Sequence, residues 1–133
     1  MIQTNSKQPY ASPVFPLTAG DINIYHARSI ADQQITYVLE FDGKLDLDKL
    51  NAAFGILVRE LPILSCILNV DGSHFCRVPV AGYNPQVILV DQPESVSQVI
   101  ERFVGTPCNP ESEPPLKLLL IRDKVGRRRS NLR

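Results

Sequence analysis

The sequence is poor in the residues that most often carry chemistry. It has two histidines, His26 and His74, and three cysteines, Cys66, Cys76 and Cys108. The cysteine count is odd and no two are spaced C-x-x-C, which argues against a disulfide scaffold. Two isolated histidines and scattered thiols also fit no zinc pattern, so no metal site is expected. A glycine-rich phosphate loop is missing. A nucleophilic enzyme needs a base beside its nucleophile, and only His26 or His74 could serve a cysteine that way. A surface or packed histidine is the simpler reading of both.

Long apolar runs are missing too. None of the 133 residues' hydrophobic stretches could cross a bilayer, and the start lacks a charged-then-apolar leader. No membrane span and a cytoplasmic location are the expectations. Net charge is zero, but Arg127, Arg128, Arg129 and Arg133 all fall in the last few residues. Residues 1–126 therefore carry ten basic against fourteen acidic groups. Nucleic-acid binding needs a basic face on the folded part, so no nucleic-acid partner is expected, and residues 124–133 read as a solvated basic tail.

What is present is an ordinary globular composition, 44% hydrophobic and 21% charged, in a length that suits one domain or a piece of one. Residues 1–16 are polar and interrupted by Pro9, Pro13 and Pro16, which suggests an extended arm. Thr18 and Asp21 form a capping-box pattern ahead of a short helix over 19–30. Residues 35–43, "ITYVLEFDG", are β-branched and aromatic and stop at Asp42-Gly43, so they read as a strand. Asp46 or Asp48 can cap the next helix, in which Leu47, Leu50, Phe54, Leu57, Val58 and Leu61 recur at helical spacing and Pro62 ends the run.

Two strands follow about Asp71-Gly72. A two-residue turn there pairs Cys66 with Arg77 and points Cys66 and Cys76 to opposite faces, whereas a three-residue turn brings the thiols together. Buried, reduced thiols are the preferred reading. Residues 86–91 give a short strand, and residues 93–105 a helix with Val96, Val99, Ile100 and Phe103 on one face. Glu111 and Glu113, between prolines, read as a solvated loop. Residues 116–121 form a final strand, apolar on both faces, that becomes a sticky edge unless covered and so offers a route to self-association. The order α-β-α-β-β-β-α-β, without regular βαβ alternation, points to an α+β fold with a mixed or antiparallel sheet packed on helices.

Three stretches together resemble a family. "FPLTAGDINIY", "YVLEFDGKLDLDKLNAAFGILVRELPILSCIL" and "PPLKLLLIRD" look like the opening portion of the condensation-domain and chloramphenicol-acetyltransferase-like superfamily, which includes peptide-synthetase condensation domains and the alcohol and polyketide-associated acyltransferases. The likeness spans about residues 14–123. Its strongest piece runs from Gly43 through Leu45, Asp46, Leu50 and Ala53 to Leu61-Pro62-Ile63-Leu64. The resemblance implies a partial domain over 17–123 and acyl transfer from a coenzyme A or carrier-protein thioester to an alcohol or amine. It further implies an acyl carrier protein, or the rest of such an enzyme, as partner.

Departures are equally informative. Ser65 stands where condensation domains usually have arginine, and Asp21 replaces glutamine as in the free-standing acyltransferases. The His-His-x-x-x-Asp-Gly motif, whose second histidine acts as general base in the family, is not in this sequence. The expectation is an N-terminal fragment, inactive alone, with no catalytic residue of its own and no bound cofactor. Asp21 and Tyr25, on the helix that approaches the tunnel in this family, are the implied channel residues; structural roles for both remain the competing reading. The rival is a complete, non-catalytic α+β interaction module using an exposed strand edge.

Overall fold

A computed structural model describes residues 15–31, 34–71 and 74–124, with only the backbone of His74. In chain order the elements are β1 (Phe15–Pro16), α1 (Ala19–Ala27), α2 (Leu47–Glu60), a 3-10 turn (Pro62–Ser65), β2 (Cys66–Asp71), β3 (His74–Pro79), β4 (Ile88–Asp91), α3 (Val96–Gly105) and β5 (Leu119–Arg122). The fold is α+β. Its strands do not share one sheet, however. β1, β3 and β2 form an antiparallel sheet in that order, and β4 and β5 form a separate parallel pair.

Local chemistry explains where the helices begin and end. The Thr18 side chain accepts from the Asp21 backbone N–H while the Asp21 carboxylate accepts from the Thr18 backbone N–H, so the capping box at α1 is complete. Asp46, not Asp48, caps α2 by accepting from the Lys49 N–H at 3.1 Å. Pro62, which has no N–H to give and blocks the preceding turn, converts the end of α2 into the 3-10 turn. Ser95 caps α3 through the Gln98 N–H. Gly43 sits at φ +118°, a conformation that side-chain-bearing residues rarely adopt, and it redirects the chain into α2.

The main core lies between α2 and the parallel pair. Phe54 and Val58 meet Val87 and Leu120, flanked by the half-buried Leu45, Leu47, Leu50, Leu64, Leu116 and Leu118. Asn51 ties this layer together: its Oδ1 accepts from the Val87 N–H at 2.7 Å, satisfying a donor at a buried residue. The same apolar face of α2 is not covered throughout, because Leu57 and the flanking Leu61 remain exposed.

Several expectations are corrected. The strand expected over 35–43 does not form: residues 34–41 belong to neither helix nor ladder, and every one of them is exposed. A strand exists only against a partner, and none of the described strands lies beside this one. In the hairpin, Asp71 pairs with His74 and Cys66 with Pro79, which places the ladder two residues on from the expected Cys66–Arg77 pairing. Residues 72–73, between the two strands, lie outside the described residues. Cys66 and Cys76 still point to opposite faces, and none of the three cysteines forms a disulfide. Cys66 is buried, whereas Cys76 and Cys108 are only partly so. Residues 15–16 of the expected arm pair with Arg77 and Cys76 of β3, and Pro16 there is on an edge strand, where its missing N–H costs no ladder bond. The basic segment 125–133 lies outside the described residues.

Candidate functional site

Asp21 and Tyr25 lie one turn apart on α1, so both face the antiparallel sheet. Asp21 Oδ1 accepts from Arg77 Nη2 on β3 at 2.9 Å. Its other oxygen accepts from the Thr18 backbone N–H at 3.0 Å and hydroxyl at 2.9 Å. Donation by the Thr18 N–H and hydroxyl, reinforced by the Arg77 guanidinium, holds this carboxyl below its usual range. The group is a fixed carboxylate at neutral pH with both oxygens engaged.

Tyr25 is similarly committed. Its hydroxyl donates to Glu111 Oε1 at 2.9 Å, and its ring meets Phe75 of β3 edge-on at 5.6 Å. The Arg28 guanidinium carbon stands 3.6 Å from the ring centroid on one face, and Arg28 Nη1 donates to the Tyr25 carbonyl. His26 packs edge-on against the same Phe75 at 5.8 Å. Phe75 and Arg77 alternate onto one face of β3, so α1 is pinned to that face at both ends of its contact.

The loop that the sequence presents as simply solvated is bound into this arrangement. Glu111 takes the Tyr25 hydroxyl, and the Pro110 carbonyl accepts from the Leu68 N–H at 2.6 Å along β2. Glu113 accepts from the Asn109 N–H at 2.9 Å and from Lys117 Nζ at 2.8 Å. Donation from Lys117 lowers the Glu113 carboxyl and raises the Lys117 amine, each favouring the charged form of the other. The role of Glu111 is invisible in the sequence because the Tyr25–Glu111 contact joins residues 86 positions apart.

Two of the shallow clefts among the described residues contain neither a histidine nor a cysteine. One of about 530 Å³ lies at the start of α2, between residues 44–48 and Arg122. The Asp46 cap takes the Lys49 N–H there, and Arg122 Nη2 donates to the Leu45 carbonyl at 3.4 Å. The other, about 460 Å³, runs from Val58 and Arg59 to Tyr83 and Pro85. Burial pushes the Cys66 thiol up, and its Sγ contacts the Pro62 carbonyl at 3.4 Å, which suits a packed thiol and not a nucleophile. Among the described residues no three histidine, cysteine or carboxylate side chains converge to hold a metal ion.

The most conspicuous surface is the segment before Gly43. Ile35 is 80% exposed, Tyr37 83%, Leu39 73% and Phe41 54%. Alternation places these four on one side of any strand the segment would form, with Thr36, Val38 and Glu40 on the other. The residues 116–121, expected to self-associate, are better covered: Leu120 is buried and β5 pairs along one edge with β4. No further described strand lies along the other edge of β5. No helix among the described residues is long and apolar enough to cross a membrane. Comparison with family models, curated proteins and solved structures finds no match to this chain.

Proposed function

We propose that residues 14–123 are the opening portion of an acyltransferase-like domain, one that moves an acyl group from a coenzyme A or carrier-protein thioester to an alcohol or amine. The observation that carries this reading is the open segment 35–41. It has the composition of a sheet strand, it is exposed along its whole length, and it leads through Gly43 and the Asp46 cap into α2. In the domains that the sequence resembles, this passage runs from strand to helix. A segment so patterned is suited to a sheet completed by further residues. Asp21 and Tyr25 then act by fixing α1 on the hairpin, and the general base is contributed from outside the residues of this chain.

The reading has two tests. The purified chain, given acyl-coenzyme A or an acyl carrier thioester with an alcohol or amine acceptor, releases no thiol above the buffer rate. Measurable turnover by these 133 residues overturns the proposal. At the gene, the reading frame that encodes the chain is expected to carry a strand with His-His-x-x-x-Asp-Gly downstream; a frame without it overturns the acyltransferase assignment. The second reading, a non-catalytic interaction module, is favoured by the edge of β5 that no other described strand covers, where a partner strand could add. A frame without the histidine motif would leave that reading standing.

A further inference from the structure

We infer that residues 35–41 pair with the same residues of a second copy, forming an antiparallel two-fold ladder centred on Val38. The inference concerns these 133 residues by themselves and uses only the pattern and exposure of this one segment; further residues that completed the sheet, as the acyltransferase reading has it, would take the place of the second copy.

The segment reads Ile-Thr-Tyr-Val-Leu-Glu-Phe, and it is self-complementary about its middle residue. A ladder centred on Val38 sets Ile35 opposite Phe41, Tyr37 opposite Leu39 and Thr36 opposite Glu40. All seven residues are then paired. Opposed residues of an antiparallel ladder share a face, so the four large apolar residues of each copy form one continuous surface. Glu40 meets Thr36, and the two Glu40 carboxylates are about 13 Å apart along the ladder at ~3.3 Å per residue. No like charges face each other.

Other registers do worse. Sliding by one residue places Tyr37 opposite Glu40 and Phe41 opposite Thr36, mixing the apolar face of one copy with the polar face of the other. Sliding by two keeps the faces matched but leaves part of the apolar set beyond the ladder. A two-fold isologous contact of this kind closes on itself, which a head-to-tail contact would not. The exposed backbone supplies the hydrogen-bonding groups: among the described residues, none of the backbone groups at 35–41 is engaged. The contact is small, in the class of weak associations below about 1,200 Å² in total, so the dimer is reversible and its population rises with concentration.

The test is register-specific cross-linking of the full chain. Val38→Cys places two thiols directly opposite across the two-fold, within reach of a disulfide, whereas Thr36→Cys separates them by about four residues. Under mild oxidation the Val38→Cys chain should form a linked dimer at least roughly tenfold faster than Thr36→Cys, with the unaltered chain as the background from its three native thiols. Both positions are exposed, so neither change disturbs the packed core. Sedimentation of the unaltered chain over a concentration series should approach twice the monomer mass and plateau there, and Val38→Pro should shift that curve to higher concentration. Equal cross-linking at 36 and 38, monomer at every concentration, or a mass that climbs past two copies without a plateau would each overturn the inference.

Discussion

Two stretches of this chain have nearly the same vocabulary and opposite fates. Residues 35–41 and β2 (Cys66–Asp71) are both short and rich in apolar residues; the first leads into Asp42-Gly43, and the second ends on the Asp of Asp71-Gly72. β2 is paired along its length with β3, touched on its other edge by the Pro110 carbonyl, and buries Cys66 and Leu68. The earlier stretch has no ladder and is exposed throughout. Propensity is the same in the two places; what differs is a neighbour. Strand formation is a property of pairs, because each backbone N–H and C=O exchanges water only for a group on another strand. The packed part of the molecule therefore carries its stability, and the open segment is where the proposed association would form.

The strongest way to sharpen that contrast is to cut into the packed part. Phe54 is 3% exposed and joins α2 to Val87 and Leu120 in a core of very few fully buried side chains. Phe54→Ala should cost about 3–5 kcal/mol from the lost transfer energy and the cavity left behind. For a domain whose whole stability is of the order of 5–15 kcal/mol, that is enough to unfold a large fraction of the molecules. Urea unfolding followed by far-ultraviolet circular dichroism would read it. A loss under about 1 kcal/mol would mean that α2 is not the keystone of this layer.

A smaller effect is expected where α1 meets the hairpin. Asp21→Ala removes half of the capping box and the partner of Arg77, two partly exposed interactions worth about 1 kcal/mol together. The sign with pH follows from the lowered carboxyl. Asp21 is more readily ionised in the folded chain than at its ordinary value of 3.8, so its contribution is complete above that value and disappears as pH falls through the folded one. The gap between parent and variant should accordingly be constant from neutral pH down to about 5 and close in more acidic buffer. A gap that widens on acidification would mean that the Asp21 charge opposes folding.

How much of this was legible in the sequence divides along the same line. The stop at Pro62, the helical face of Phe54 and Val58, and the capping box at Thr18 and Asp21 are decided within a turn or two of chain and could be read there, as could the cap of α2 down to a choice between Asp46 and Asp48. Pairing could not. The parallel contact between β4 and β5, the two-residue shift in the hairpin and the strand at residues 15–16 depend on segments far apart in sequence. The site divides similarly: Asp21 announces itself as a helix-start acid, but its bond to Arg77 joins residues 56 apart. Of the two carboxylates in the proline-rich loop, Glu111 gave no signal because its partner Tyr25 lies 86 residues away, whereas Glu113 is held locally, by the Asn109 N–H and Lys117, each four residues off.

The smallest expected effect belongs to the open segment, and its smallness is the point. Tyr37 is 83% exposed and its ring has no aromatic neighbour among the described residues. Tyr37→Ser should leave the urea midpoint of dilute protein within about 0.5 kcal/mol of the parent, because nothing buried is lost. In concentrated solution the same change should matter more, since it removes one of the four large side chains that an associating face would offer. Midpoints measured at low and high protein concentration separate the two contributions: the parent should gain stability with concentration by mass action, and the variant should gain less. A variant that is destabilised even when dilute would show that Tyr37 has a partner within its own chain, and the division into a packed part and an open segment would fail at that residue.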